Sequence, residues 1–312
     1  MLEQFFTLEY LTSFLISVIR MSTPLIFCAL GALIANHAGI INMALEGTML
    51  MASLVAVVIS ALTTSVLGGI LGAILGGLFI SLLFAYLHLN KQSDLIITGI
   101  ALNTFASGAT VYLLFLLTGD KGTSRLLQSL SVPNWNIPLI KDIPFLGKVL
   151  SGHNALTYVA FLAVLVTFIL VFKSRLGLRL RAVGFNPNAA SSVGISVKKV
   201  KFQAFLLSGL FASLGGAFMS MGYLSYFARD MMAGRGFIGI AAATLAGGQS
   251  LGALLASLGF GAANATSITL ATLNLNADLV AMIPYLATVI GLVIVSARKL
   301  AKAKKKGQGI DF

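Results

Sequence analysis

Apolar runs of about 20 residues recur along this chain, the length at which a helix crosses the hydrocarbon of a bilayer. The predicted spans are 10–35, 40–63, 66–88, 94–117, 154–173, 203–227, 237–249, 250–272 and 279–297. The first is bent near Pro24 and interrupted by Arg20. The seventh is too short to cross alone at 1.5 Å per residue, so it is expected to tilt or to form a re-entrant pair with its neighbour. The count is therefore eight to ten spans. No polar stretch is large enough for a separate soluble domain. The expected fold is a single all-α domain over 1–312, a polytopic transmembrane helical bundle. Charged residues make up only 10% of the chain, against about 25% in soluble domains.

The net charge of +12 is a signal of topology before it is one of nucleic-acid binding. Seven of the 21 basic residues fall within 173–201, and six are Arg298, Lys299, Lys302, Lys304, Lys305 and Lys306. Basic residues flanking spans stay cytoplasmic, with anionic lipid headgroups as their counter-charge. The tail 298–312 is read as a cytoplasmic anchor. An even number of crossings between the two blocks places the 118–153 connection outside and the 89–93 turn inside. Nine spans put the N-terminus outside; an additional break near Arg20 puts it inside. The outer connection holds Pro133, Trp135, Pro138 and Pro144. It is expected to be an ordered loop or interfacial helix with Trp135 at headgroup level. The first residues, with Glu3 and Glu9, lack the pattern of a cleavable signal.

Within the first basic block lies a short polar helix. Asn186 suits its N-cap, because its side chain accepts from free amides of the first turn. Pro187 fits the first helical position, and Gly194 supplies the left-handed residue that ends it. The result is a small, rigid knob on a basic face, suited to docking a soluble partner or serving simply as a well-capped loop.

Glu46 is the sharpest single residue. A carboxylate in hydrocarbon is costly and must face protein or water. Asn42, four residues earlier, is expected to share its helical face and bond to it. Glu46 either marks a transport pathway or crosslinks helices. Asn103 falls at mid-membrane, where it bonds across helices or meets a polar solute; Asn264 and Gln249 carry the same two readings. Asp94 suits a helix N-terminus. Gly68, Gly72 and Gly76 form a ridge for close helix contact.

Other patterns exclude more than they assign. Gly234-Arg235-Gly236-Phe237-Ile238-Gly239 spells a dinucleotide fingerprint without the preceding strand that the fold requires; it reads instead as the start of the short seventh helix after a tight turn. No phosphate-binding Walker loop occurs, so ATP is not expected to be bound by this chain. His37, His88 and His153 lack metal spacing, no nucleophile elbow occurs, and Cys28 has no partner for a disulfide. Neither enzymatic activity nor a cofactor or metal site is expected.

Three segments are similar to the inner-membrane permease subunits of ABC importers in the ribose and branched-chain-amino-acid class, most of all to nucleoside or simple-sugar permeases. They are 38–50 (Gly39-Ile40-Ile41-Asn42 through Glu46-Gly47), Arg181-Ala182-Val183-Gly184 through Gly194-Ile195, and Gly234-Arg235-Gly236-Phe237. Asp142-Ile143-Pro144-Phe145-Leu146-Gly147 adds support. The resemblance covers roughly 20–300. It departs where the family commonly has Glu-Arg before the first glycine and this chain has Asn36-His37.

The resemblance implies a type II-like importer permease. Separate ATPase subunits supply the energy, and a sister or identical permease and an extracytoplasmic binding protein complete the assembly. It casts the 174–202 loop as the coupling segment, through Gly184, Asn186, Pro187, Ala189, Ala190 and Gly194. Asn42, Glu46 and Asn103 are the candidate pathway residues, and nucleosides the first substrate expectation, ahead of simple sugars or branched-chain amino acids. The competing class is a secondary transporter with Glu46 as its ion-coupling carboxylate.

Overall fold

The computed structural model describes residues 8–127, 129–138, 146–271, 279–280 and 282–305. Helix α1 (Leu8–His37) is continuous through Arg20, with Pro24 inside it; no break occurs near Arg20. The guanidinium donates to the Tyr223 carbonyl at 3.0 Å and lies over the Tyr223 ring. α1 is the central element, buried throughout 25–35. Small residues let its neighbours close on it. A Cβ at Gly31 would lie 2.7 Å from the Ser208 carbonyl oxygen, and Thr23 bonds the Thr157 hydroxyl.

α2 (Leu45–Thr63) and α3 (Val66–Lys91) form a tight hairpin. The expected glycine ridge is the reason: Cβ atoms at Gly72 and Gly76 would lie 2.7 and 2.8 Å from Ile59 and Val55. Ser65 caps α3, and Asp94 caps α4 (Leu95–Thr118) by accepting from the Ile96 and Ile97 amides. Gly119, left-handed at φ 72°, ends α4.

The connection after α4 is ordered without being helical over most of its described length. Asp120 folds a turn around the Gly122 amide, which is the chief cause holding its carboxyl below the ordinary range. β1 (Asn134–Trp135) pairs antiparallel with β2 (His153–Asn154), with α5 (Leu146–Leu150) between them. Trp135 is exposed. Of the family-like stretch here, residues 142–145 lie outside the described residues, as does the tail beyond 305.

α6 (Ala155–Lys173) leads to α7 (Arg175–Phe185) and α8 (Pro187–Ser192). The basic segment before Asn186 is thus a second amphipathic helix, where the sequence reading recognised only the one that follows. α9 (Val197–Ala217) runs on into a π turn at 218–223. α10 (Arg235–Leu245) is a half-length helix, α11 (Ser250–Ala271) is full length, and α12 spans Ile283–Lys305. Among the described residues, seven helices (α1, α2, α3, α4, α6, α9 with its π turn, and α11) are long and apolar enough to cross a membrane. The apolar segments Arg235–Leu245 and Ile283–Ile294 are shorter. The protein is an all-α, multi-pass membrane protein.

Candidate functional site

Two helices start inside the bundle rather than at its edge. After α1 ends at His37, residues 38–44 form an irregular turn and α2 begins at Leu45. α10 begins at Arg235, where Gly236 and Gly239 pack against α1 beside Cys28, whose thiol donates to the Gly236 carbonyl. Cys28 lies nine residues above the end of α1, or about 14 Å along its axis. Asn103, eight residues into α4, stands about 12 Å from that helix's start. Both breaks therefore lie about 12–14 Å inside the bundle, measured from the ends of α1 and α4.

Side chains from neighbouring helices satisfy the backbone groups that these breaks free. Glu46 accepts from the Gly234 amide through Oε1 at 2.8 Å and from the Gly236 amide through Oε2 at 2.6 Å. Its charge sits at the positive end of α10, where a helix favours an anion. The fit demands glycine, since a Cβ at Gly236 would lie 2.5 Å from the Glu46 amide nitrogen. Gly234 takes φ 78°, the tight turn that the sequence indicated. Asn103 Oδ1 accepts from the Gly47 amide at 2.8 Å, and its Nδ2 donates to the Met43 carbonyl at 2.8 Å. Asn42 Oδ1 accepts from the Ala44 amide, while Nδ2 donates to the Ser208 hydroxyl.

Asn42 therefore does not bond to Glu46. It precedes α2, so the two never share a helical face. All three candidate residues come together around the breaks, each bonded to protein groups that the breaks expose. Asn264 donates within its own helix to Phe260, and Gln249 lies at the α10–α11 turn.

Several contributors were given no role by the sequence, although Arg235 lies in the glycine-rich segment noted there. Arg235 donates through Nη1 to the Met231 and Met232 carbonyls, fixing the turn that feeds α10. Ser107 of α4 donates to Asp230, which also pairs with Arg229 at 3.3 Å. Tyr285 of α12 donates to the Ala233 carbonyl. Beside them a cavity of about 480 Å³ opens along α4, with Ser107, Gly108, Tyr112, Lys121 and Arg229 on its walls.

At the end of the bundle where α1 stops, the predicted polar knob is present. Asn186 accepts from the Ala189 amide at 3.1 Å, Pro187 is the first residue of α8, and Gly194 takes φ 82°. Ala189 is exposed and Ala190 buried. Phe185 and Val193, 94% and 74% exposed, flank the knob. α7 rests on the end of α1: a Cβ at Gly184 would collide with the His37 carbonyl oxygen, and one at Gly39 would lie 3.3 Å from Gly184 Cα. His37 in turn bonds the Gly248 carbonyl at 2.9 Å, at the far end of α10. A chain of contacts thus runs from α8 through α7 and α1 to the helix that Glu46 holds.

A multi-pass bundle with two helices that start inside it, and a short polar helix projecting from one end between exposed Phe185 and Val193, is the architecture of a membrane transport subunit. Discontinuous helices of this kind are how transporters bring backbone and polar groups to the membrane midplane. The chain belongs to the branched-chain amino acid transport system / permease component family, whose profile matches residues 14–296. It is 31% identical to a nucleoside ABC transporter permease of Lactococcus lactis, covering 93% of each chain. It is 31% identical to a guanosine ABC transporter permease of Bacillus subtilis, covering 87% of this chain and 88% of that one. Among solved structures, PsaBC from Streptococcus pneumoniae in complex with Fab shares the fold: the TM-score is 0.50 at 16% identity, over 88% of this chain and 89% of that one. The protein is a permease subunit of an ABC importer.

Proposed function

We propose that this permease imports nucleosides. The observation that carries the substrate is the match, over nearly the whole chain, to permeases named for nucleosides and guanosine. The geometry suits a polar, neutral solute. The carboxylate of Glu46 is already bound by two fixed amides, so it supplies structure rather than a free counter-charge. In this reading Asn42, Glu46 and Asn103 shape the pathway by holding its broken helices, and the cavity along α4 is its outer mouth.

Energy comes from separate ATPase subunits, which take up ATP themselves and leave this chain without a cofactor. They dock on α8, with Gly184, Asn186, Pro187, Ala189, Ala190 and Gly194 forming the lever. The end bearing α7 and α8 faces the cytoplasm, as does the basic tail, and the permease forms one domain over 1–312. The pathway is completed by a second permease, identical or sister, and an extracytoplasmic binding protein delivers the nucleoside. The lever works because its contacts are short and stiff. Displacing α8 presses Gly184 on His37 and Gly39, and His37 passes the motion to Gly248 and α10.

The test is affinity purification of the tagged chain in mild detergent, followed by uptake of labelled guanosine by the reconstituted complex. Co-purification of an ATPase, with ATP-dependent uptake that unlabelled nucleosides block and glucose and leucine do not, is the expected result. Competition by glucose or leucine alone would replace the substrate.

A further inference from the structure

We propose that the cleft between the α7–α8 ends of α3 and α9 is a binding site for one anionic phospholipid of the cytoplasmic leaflet. Higher in the bundle the two helices touch through small residues. Gly77 faces Ser213, and Gly209 faces Ser81, so closely that neither glycine has room for a Cβ. One turn further on, Phe84 and Phe205 meet instead, with ring centroids 4.9 Å apart. Two aromatic rings wedge the helices where glycines had let them close.

Beside this wedge, and on toward the α7–α8 end, a groove of about 820 Å³ runs along the two helices. Leu82, Tyr86 and Leu89 wall it from α3, and Phe202 and Leu206 wall it from α9. These positions recur at helical spacing on each helix, so the groove runs along the helix axes, as an acyl chain lies in a bilayer. Leu82, Tyr86 and Phe202 are exposed, which opens the groove sideways to lipid.

Its mouth is what selects the occupant. Lys198 and Lys199, in the first turn of α9, line the same groove, and no acidic residue does. Neither lysine pairs with a carboxylate among the described residues. Both stand at the positive end of a long helix, where an anion is favoured. Their stems suit the membrane surface, with the ammonium groups reaching headgroup level. Apolar walls with a dicationic mouth match a phospholipid whose headgroup bears net negative charge. A zwitterionic lipid offers the same chains with a cancelling charge. The leaflet follows from the placement of the basic residues.

The probe is phosphatidylglycerol, with phosphatidylcholine of identical chains as comparison. The full-length protein and its co-purifying subunits would be delipidated, supplied with both lipids and weighed intact by native mass spectrometry. Each lysine near an anionic surface contributes about fivefold, so phosphatidylglycerol should be retained about 25-fold over phosphatidylcholine, within a factor of a few. K198Q/K199Q should abolish that preference, because both side chains are exposed and the change leaves the fold alone. K173Q/R175Q, at basic positions outside the groove, should keep it. Leu206→Trp, which fills the apolar floor, should lower retention of both lipids. Equal retention of the two lipids by the natural chain would overturn the site, as would a preference that survives K198Q/K199Q. Competition by glycerol 3-phosphate as strong as by the lipid would also overturn it, since the groove would then contribute nothing. These readouts need no transport, so their failure leaves the substrate and coupling readings standing, and failed uptake leaves the lipid site standing.

Discussion

α10 and the knob at α8 are both short helices that begin after a break in the chain, a loop before α10 and the single residue Asn186 before α8, yet they are held in opposite ways. α8 satisfies its own first turn: Asn186 caps it, and Pro187 needs no partner. α10 has no side-chain cap of its own and borrows one from Glu46, which lies 188 residues earlier than Gly234. One helix is stabilised by neighbours in sequence, the other by neighbours in space. A lever must keep its shape while its surroundings change, and local capping achieves that. A helix interrupted inside the membrane has no water to satisfy its free amides, so another span must supply the acceptor.

This contrast sets the order of expected effects. The largest is Glu46→Ala, which removes both acceptors from the Gly234 and Gly236 amides. Hydrogen bonds to a charged group contribute about 1.5–3 kcal/mol each, so about 3 kcal/mol or more should be lost. The detergent-solubilised chain should melt well below the parent, with Glu46→Gln in between because one acceptor remains. If Glu46→Ala melted like the parent, α10 would be held by something other than this carboxylate. Next is Gly236→Ala, whose methyl meets the Glu46 backbone rather than a flexible side chain end. Overpacking of this kind costs about 1–3 kcal/mol, again read as a lower melting point. Smallest is Asn186→Ala. The lost cap is worth about 1 kcal/mol to its own helix, and α8 buries only Ala190. Global melting should barely change, while protease sensitivity between Phe185 and Val193 rises. Equal melting losses at Glu46 and Asn186 would erase the distinction between the two regions.

The same contrast decides what could be read from the chain. Asn186, Pro187 and Gly194 announced α8 because capping chemistry is local, and Asp94 announced α4 likewise. Span positions followed from apolar runs, and the half-length of α10 showed in its short one. α7 was missed because its apolar residues are spaced among arginines and read as a loop. The partners of Glu46, Asn42 and Asn103 were illegible for a different reason. Glu46 and Asn103 bond backbone groups brought near by the fold, which leave no mark in sequence, and Asn42 donates to Ser208, 166 residues away. Gly234 and Gly236 were visible as a turn, but nothing in the sequence said which carboxylate would fill it.

Ala189 and Ala190 sharpen the account further. They are adjacent and chemically identical, but Ala190 is buried in the core while Ala189 is exposed. Ala190→Glu would disturb folding and so cannot isolate coupling. Ala189→Glu alters the proposed docking surface and nothing beneath it. The most direct measurement is therefore ATP-driven guanosine uptake by the reconstituted complex carrying Ala189→Glu, with the melting temperature of the same preparation. The account predicts parental melting and at least a tenfold fall in uptake, roughly the effect of about 1.4 kcal/mol at the coupling step. Normal ATP-driven uptake in that variant would contradict the assignment of α8 as the lever.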